Sequence, residues 1–187
     1  NTITPLNSGE SGLRSNKINT LYLDNDHTIW IGYLNRGISF STNHPVLFES
    51  HFLPGNVASE FKDEVISILE DKQGNIWVGT DGNGLTVLDK NYKIKSHYDL
   101  GNSNNVAICI YEDKFGRIWT GTFRNGLYCY DKGRMIHIKR GEKGLKDDNI
   151  WSITEDAEGR LWIGGLNNGL QKWNELTGKF DKPIGKM

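Results

Sequence analysis

Adjacent carboxylates are the residues of this chain that come nearest to catalytic chemistry. A Glu-Asp pair occurs three times, at Glu70 and Asp71, at Glu112 and Asp113, and at Glu155 and Asp156. Paired carboxylates can act as a general acid and a general base. Neighbouring side chains of a strand point to opposite faces, however, and three copies argue against one unique active site. We therefore interpret the pairs as structural, with each Asp capping the turn after a strand, and we predict no catalytic residue.

Histidine spacing gives no indication of a metal site. The five histidines are scattered along the chain, at His27, His44, His51, His97 and His137. Zinc sites place such ligands at short and fixed spacings. The sequence therefore predicts no metal and no cofactor.

Polar and aromatic residues at turns are the candidates for recognition. They occupy equivalent exposed places in successive copies of a repeat, yet they differ from copy to copy, so the scaffold does not require them. We predict a ligand-binding set formed by Arg36, Asn83, Phe123, Arg124, Asn167, Asn168 and Trp151. Mixed Asn and Arg side chains with an aromatic ring suit a polyhydroxylated ligand, although solvated loops have the same composition.

The elements that position these residues follow from the repeat of one phrase. Starting at Asp71 the phrase is D-K-Q-G-N-I-W-V-G-T-D-G-N-G-L, which contains Trp77. Related phrases surround Trp30, Trp119 and Trp162. These tryptophans are 47, 42 and 43 residues apart, which is the range of four-stranded propeller blades. One Trp per blade could stack on a sugar ring. We favour a wedge packed between blades, and its loss should cost about 3–5 kcal/mol.

Each repeat predicts four strands. In the second repeat they cover 65–69, 76–80, 85–88 and 93–98, separated by turns that contain Gly. Its first strand is mostly apolar, so we expect burial to be highest there and to fall toward a polar outer strand. The sequence therefore predicts an all-β fold, a β-propeller segment of about four four-stranded antiparallel blades. The expected blade bounds are 14–53, 62–100, 104–140 and 147–183, after the end of a preceding blade or a closing strand in 1–13.

The cysteines and the repeated glycines have packing roles in this fold. Cys109 and Cys129 fall on strands separated by a third strand, about 10 Å apart, so we expect two free, buried thiols. Gly79, Gly121 and Gly164 each follow a repeat Trp by two residues, and we expect them to let the blades approach closely.

Composition excludes two classes of partner. The chain has 22 Lys and Arg against 23 Asp and Glu, a formal net charge of -1, so no basic surface for nucleic acid is expected. The longest nearly apolar run, residues 106–111, is far shorter than the roughly 18 residues of a membrane helix. We therefore expect no direct insertion of this segment into a membrane.

The repeated phrase resembles the two-component regulator propeller repeat. In the second copy the matching positions are Val65, Ser67, Ile68, Glu70, Asp71, Gly74, Trp77, Gly79, Thr80, Gly84 and Leu85. The third and fourth copies keep most of these positions. The first copy departs furthest, because Leu23 stands in place of Glu, His27 in place of the turn Gly, and Tyr33 in place of Thr.

The resemblance implies a part of the sensor region of a bacterial hybrid histidine kinase. We expect a periplasmic or extracytoplasmic, non-catalytic sensor module of a membrane-anchored parent, which binds a ligand, with a glycan as the first candidate, and transmits its state to the kinase. The alternative is a scaffold for protein interaction or dimerisation without a small ligand. A weaker alternative is a propeller glycosidase or lyase. Four blades cut from a ring should expose apolar sheet faces, so self-association through the blade edges is also expected.

Overall fold

The computed structural model describes residue 13 and residues 15–34, 37–41, 48–51, 64–101 and 106–184. These residues form sixteen strands in four antiparallel sheets of four, and the strands of each sheet follow one another in chain order. The predicted β-propeller segment is thus confirmed. Arg36 and most of the predicted preceding blade end, 1–13, lie outside the described residues.

Every sheet contains four consecutive strands. The first sheet is β1 (Ile18–Leu23), β2 (Ile29–Tyr33), β3 (Ile38–Ser41) and β4 (Phe48–His51). The second is β5 (Glu64–Glu70), β6 (Ile76–Asp81), β7 (Leu85–Leu88) and β8 (Ile94–Tyr98). The third is β9 (Ala107–Glu112), β10 (Ile118–Thr122), β11 (Leu127–Asp131) and β12 (Arg134–Ile138). The fourth is β13 (Ile150–Glu155), β14 (Leu161–Gly165), β15 (Gly169–Asn174) and β16 (Lys179–Phe180).

The first turn of each sheet explains why the phrase folds as a hairpin. In the second sheet Gly74 has a φ of 78°, in the left-handed region that glycine adopts without a steric penalty. His27 takes the same place in the first sheet with a φ of 62°. The histidine that replaces glycine in the sequence therefore also takes over the backbone conformation of glycine.

Burial is greatest in the second and third strands of the second sheet, and the predicted order was wrong on this point. In β6 all residues but the last are buried, and β7 is buried throughout, whereas β5 is mostly half-buried. The reason is that β6 and β7 are hydrogen-bonded along both edges, while β5 pairs only with β6 and leaves its other edge unpaired. The outer strand β8 is mostly exposed, as predicted.

The apolar core lies between successive sheets. Three clusters of buried side chains join the first sheet to the second, the second to the third, and the third to the fourth. Trp30, Trp77 and Trp119 each belong to one of these clusters, which confirms their predicted role as wedges. Trp162, the equivalent residue of the fourth sheet, is only half-buried.

The two cysteines are free thiols, as predicted. They lie on β9 and β11, with β10 between them. Cys129 is buried and Cys109 is partly buried, and burial raises the pKa of each thiol to about 12. Neither thiol is therefore ionised near neutral pH, and neither suits a nucleophile.

Helical structure is minimal in the described part of the chain. It consists of one 3-10 turn at Glu142–Gly144. None of these residues forms a helix of the length and apolar character needed to span a membrane.

Candidate ligand-binding face

The turns between second and third strands lie beside the connectors that enter the sheets. The backbone N–H of Leu34 donates to the carbonyl of Lys17 at 3.2 Å. In the third sheet Phe123 donates to Val106 at 3.3 Å, and in the fourth Leu166 donates to Asn149 at 3.0 Å. In each of these three sheets the turn therefore lies at the same end of the sheet as the connector, and we call this end the candidate face.

On this face the third and fourth sheets are joined by hydrogen bonds. The backbone N–H of Arg124 donates to Oδ1 of Asn149 at 3.1 Å, and the N–H of Gly126 donates to the carbonyl of Asp148 at 2.9 Å. The Arg124 guanidinium lies over the ring of Phe123, 4.8 Å from its centroid. The exposed Arg124 side chain and the half-buried Phe123 ring are thus held at the boundary between two sheets.

Asp147 anchors the adjoining turn of the fourth sheet. Its buried carboxylate accepts from the backbone N–H of Asn149 at 3.0 Å and of Asn167 at 2.6 Å, and the amide groups of both side chains also donate to it. Burial alone would raise the pKa of the Asp147 carboxyl, but these donors together lower it below its ordinary value. Asp147 therefore stays ionised and fixes the Asn167 turn. Asp147 was not among the residues predicted from the sequence.

Trp151 lies at a β-bulge. In the ladder between β13 and β14, Ile150 pairs with Gly165 and Ser152 pairs with Gly164, so Trp151 is skipped. The bulge recurs at the same place in the other three sheets, where it leaves Asn19, Ile66 and Ile108 unpaired. The Trp151 side chain is 51% exposed. Trp151 follows by two residues Asn149, whose side chain accepts from the Arg124 backbone N–H.

The remaining predicted residues are more dispersed. The side-chain amide of Asn168 donates to the carbonyl of Lys146 at 3.0 Å, which ties it to the connector of the fourth sheet. Asn83 belongs to the second sheet, where its N–H donates to Oγ1 of Thr80 at 3.1 Å. Phe123 and Arg124 thus belong to the third sheet, Asn167 and Asn168 to the fourth, and Asn83 to the second.

The aspartates of the Glu-Asp pairs are structural. In the second sheet Oδ1 of Asp71 accepts from the N–H groups of Gln73 at 3.0 Å and Asn75 at 2.8 Å, which confirms the predicted cap. Its Oδ2 accepts from the indole N–H of Trp77 at 2.8 Å. The same indole bond joins Asp24 to Trp30, Asp113 to Trp119 and Asp156 to Trp162. We did not predict this bond, although the constant spacing of six residues between Asp and Trp could have indicated it.

The glutamates of the pairs hold neighbouring sheets together. Oε2 of Glu70 accepts from the backbone N–H of Asn25 at 2.8 Å, and Oε2 of Glu112 accepts from that of Lys72 at 2.8 Å. Glu155 accepts from the N–H of Lys114 at 3.1 Å. Each glutamate thus reaches the first turn of the preceding sheet. Both carboxylates of a pair are engaged in the scaffold, and they do not converge on one substrate.

The described ranges contain no cluster of side chains suited to bind a metal ion. Within them, no group of three or more His, Cys, Asp and Glu side chains is placed to hold a metal ion. His97 is within hydrogen-bond distance of Oγ1 of Thr86, at 3.1 Å, and His137 stacks on Tyr128 with ring centroids 4.0 Å apart.

Comparison of the sequence with protein families gives four matches. The family described as two-component regulator propeller matches residues 12–35, 59–82, 101–124 and 144–167. The chain belongs to this family. The four matched segments each contain one repeat Trp, so the propeller repeats counted in the sequence are those of the two-component regulator propeller. No curated protein sequence matches the chain.

Solved structures of extracellular domains share the fold. The extracellular domain of a hybrid two-component system from B. thetaiotaomicron is 26% identical, with a TM-score of 0.72, over 88% of this chain and 22% of that chain. A second such domain from the same organism is 20% identical, with a TM-score of 0.61, over 90% of this chain and 29% of that chain. The chain therefore spans about a quarter of the length of these extracellular domains.

A propeller enzyme has a similar fold. Virginiamycin B lyase from Staphylococcus aureus is 18% identical, with a TM-score of 0.71, over 90% of this chain and 56% of that chain. This likeness shows the fold alone, because the same propeller scaffold carries unrelated functions.

Proposed function

We propose that this propeller is a non-catalytic sensing module that binds a polyhydroxylated ligand, a glycan in the first instance, on the face formed by its third and fourth sheets. The module lies outside the cytoplasm in a membrane-anchored parent protein, and the parent's histidine kinase responds to the bound state. Support comes from the family and from solved structures that are similar to this chain, which are extracellular domains of two-component systems. The observation that carries the ligand proposal is the half-exposed Trp151, which follows by two residues the Asn149 that accepts from the backbone N–H of Arg124.

The chemistry of this face suits sugars. An exposed indole ring offers an apolar surface for the face of a pyranose, and it loses little conformational entropy on binding. The Arg124 guanidinium provides donors for hydroxyl oxygens, while side-chain amides such as that of Asn168 can both donate and accept. The Trp151 side chain is half-exposed, and the residue is skipped in the ladder between β13 and β14, so a ligand that contacts the ring leaves the strand pairing unchanged.

A ligand on this face would act across a junction between sheets. Arg124 belongs to the third sheet and Trp151 to the fourth. The two sheets are joined by the hydrogen bond from the Arg124 backbone N–H to the Asn149 side chain. A ligand that binds both sheets would favour one packing of the two sheets over others. That change in packing can be transmitted to the neighbouring part of the parent protein. The ligand shifts this equilibrium only by its difference in affinity for the two packings.

Thermal unfolding against a panel of oligosaccharides tests the proposal. A ligand that binds the folded state raises the melting temperature by an amount set by its concentration over its dissociation constant. Trp151→Ala and Arg124→Ala should each abolish the shift that a positive oligosaccharide causes. Phe115→Ala is the matched control, because Phe115 is a 60% exposed aromatic in the first turn of the third sheet, at the opposite end of its strands. A shift that both variants retain, or no shift with any oligosaccharide, contradicts the proposal.

The second candidate is a scaffold that acts through its sheet faces. The observation in its favour is a group of exposed apolar side chains on the first sheet, Ile18, Leu21, Leu23 and Ile29. A scaffold would associate with a protein partner and would show no melting shift with any oligosaccharide.

A further inference from the structure

The junction between the third and fourth sheets carries a local excess of positive charge at the candidate face. The turn 123–126 and the connector 139–149 contain three acidic residues and five basic ones, Arg124, Lys139, Arg140, Lys143 and Lys146. In the second sheet the equivalent turn and connector, 81–84 and 99–105, contain two acidic residues and no basic one. Because the chain as a whole has a net charge of -1, this excess belongs to one junction.

The acidic residues of this connector accept hydrogen bonds from the backbone. Oε2 of Glu142 accepts from the N–H of Lys139 at 2.9 Å, and Oδ1 of Asp148 accepts from that of Arg140 at 2.7 Å. The buried carboxylate of Asp147 accepts from two further backbone N–H groups. Within the described ranges none of these three carboxylates forms an ion pair with a basic side chain. They shape the connector and leave its cations unpaired.

Arg124 and Arg140 differ in this respect from two arginines at the opposite end of the sheets. Arg117 and Arg160 each form ion pairs with two carboxylates. Among the described residues Arg124 and Arg140 pair with none, and both are exposed. The donors of these two guanidinium groups are therefore open to an anion that arrives from solvent.

Asp148 brings the two arginines to the same place. Its carbonyl accepts from the backbone N–H of Gly126, two residues after Arg124, at 2.9 Å, and its Oδ1 accepts from the N–H of Arg140 at 2.7 Å. The turn of the third sheet and the start of the connector thus meet at one residue. Each guanidinium presents a planar fork of donors that matches a carboxylate or a sulfate, so two of them this close together can bind one anionic group.

The backbone at Arg124 indicates that the turn does not require this side chain. Arg124 has a φ of 61°, in the left-handed region that residues with a Cβ disfavour. The same place in the second sheet is taken by Gly82, with a φ of 102°. Glycine would therefore form the turn with less strain. An unfavourable backbone conformation kept at an exposed arginine is typical of a residue that binds a ligand.

We infer that the ligand of this face carries an anionic group, a carboxylate or a sulfate ester on a sugar, which the guanidinium groups of Arg124 and Arg140 bind. The exposed Lys146, whose carbonyl accepts from the Asn168 amide, extends the positive charge to the fourth sheet. This inference rests on the ligand binding proposed above and makes it more specific, because a neutral glycan gains little from unpaired cations.

Pairs of sugars that differ in charge test this inference. Galacturonate and glucuronate are each compared with their methyl esters, and galactose 6-sulfate is compared with galactose, by isothermal titration calorimetry on the whole chain. The charged member of at least one pair should bind about tenfold more tightly, because a charge-assisted hydrogen bond is about twice as strong as a neutral one. Raising the NaCl concentration from about 50 mM to about 500 mM should weaken its binding and leave that of the neutral member unchanged.

Variants of the arginines locate the anion. Arg124→Gln and Arg140→Gln should each remove most of the preference for the charged sugar. Arg134→Gln is the matched control, because Arg134 is an exposed arginine of the same sheet without an ion pair among the described residues. It lies at the opposite end of β12, about 13 Å away along the strand, which exceeds the Debye length of about 8 Å. An equal loss of preference in Arg134→Gln would show a general effect of charge and would contradict a site.

Arg124→Gly separates ligand binding from the needs of the turn. Glycine adopts a positive φ without a steric penalty, so the melting temperature of the free chain should be retained while the preference for the charged sugar falls. A variant that keeps the full preference would overturn the role of Arg124.

Failure of this inference is distinguishable from failure of the proposed function. Equal binding of the charged and neutral members of every pair, or binding of a neutral oligosaccharide when no charged sugar binds, would overturn the anionic ligand and leave glycan binding standing. No binding of these sugars together with no melting shift for any oligosaccharide would contradict both. A preference confined to the uronate pairs identifies a carboxylate as the anion, and one confined to the galactose pair identifies a sulfate ester.

Discussion

The third and fourth sheets contain nearly the same phrase and bury it to different extents. Trp119 and Leu127 of the third sheet are at most 1% exposed, while Leu170 of the fourth is 49% exposed and Trp162 is half-buried. The local bond is unchanged, since the indole N–H donates to the turn Asp at 2.8 Å in one sheet and at 2.7 Å in the other. The comparison shows that the phrase determines the hairpin, whereas burial of its side chains comes from the sheet packed against it.

Removing the tryptophans is the strongest test of this comparison. Trp119→Ala should lower the free energy of unfolding by about 3–5 kcal/mol, because it leaves a cavity between two sheets. Trp162→Ala should cost less than about 2 kcal/mol, because the lost side chain was partly in water already. Urea unfolding at low protein concentration measures both. Equal losses would show that the indole bond to Asp, rather than burial, is the main contribution.

Replacing the repeat glycine with alanine gives a second comparison of the third and fourth sheets, at the point where each backbone meets its nearest neighbour. Gly121→Ala should cost about 1–3 kcal/mol, because the new Cβ would lie 2.6 Å from the backbone oxygen of Ile150 on the fourth sheet. Gly164→Ala should cost less, since its nearest neighbour is the Ser152 hydroxyl, which can rotate away. Thermal unfolding compares the two variants, and a larger loss for Gly164→Ala would contradict this account.

The fourth sheet also depends on a polar anchor, which Asp147→Asn removes. The loss of a buried carboxylate that accepts from Asn149 and Asn167 should cost about 1–2 kcal/mol at neutral pH. Because the pKa of Asp147 is lowered in the folded state, its contribution is present above the ordinary carboxyl pKa and disappears as the pH falls through the lowered value. The difference between wild type and variant should therefore shrink in acid, and a difference that is independent of pH would argue against an ionised anchor.

The junction between the second and third sheets should show a small pH effect of the opposite sign. Burial raises the pKa of Glu112, even though the Lys72 backbone N–H and ammonium group oppose the shift. Between the ordinary and the raised pKa the folded state binds more protons than the unfolded state, so this group makes stability fall as the pH rises. Glu112→Gln should remove that fall. Denaturant unfolding from about pH 4 to pH 7 measures it, and an unchanged slope in the variant would rule out Glu112 as its source.

Most of the fold could be predicted because its determinants are local. In the second sheet the bounds of β7 agree with the sequence prediction at both ends, and those of β5, β6 and β8 differ by one residue at an end, since glycines and aspartates mark the turns. Burial along the repeat was predicted wrongly, because the apolar composition of β5 says nothing about its unpaired edge. The role of Glu70 was missed, because its partner Asn25 lies 45 residues away in the preceding sheet.

The candidate site was less predictable for the same reason. The sequence identified Arg124 and Asn167 as turn residues, but their link passes through Asn149 and Asp147, whose hydrogen bonds depend on how two sheets meet. Trp151 was predicted as part of the ligand-binding set. The bulge at which it lies was not predicted, because a skipped ladder position leaves no mark in the hydrophobic pattern of β13.

The recurring bulge has a consequence for how such proteins diversify. A skipped residue is left unpaired in the ladder, so a change of its side chain need not alter the strand pairing. The four bulges of this chain hold three residue types, Asn19, Ile66, Ile108 and Trp151. The same position thus carries an amide that donates to the carbonyl of Val65 on the neighbouring sheet in one repeat and a half-exposed indole in another, on one unchanged scaffold.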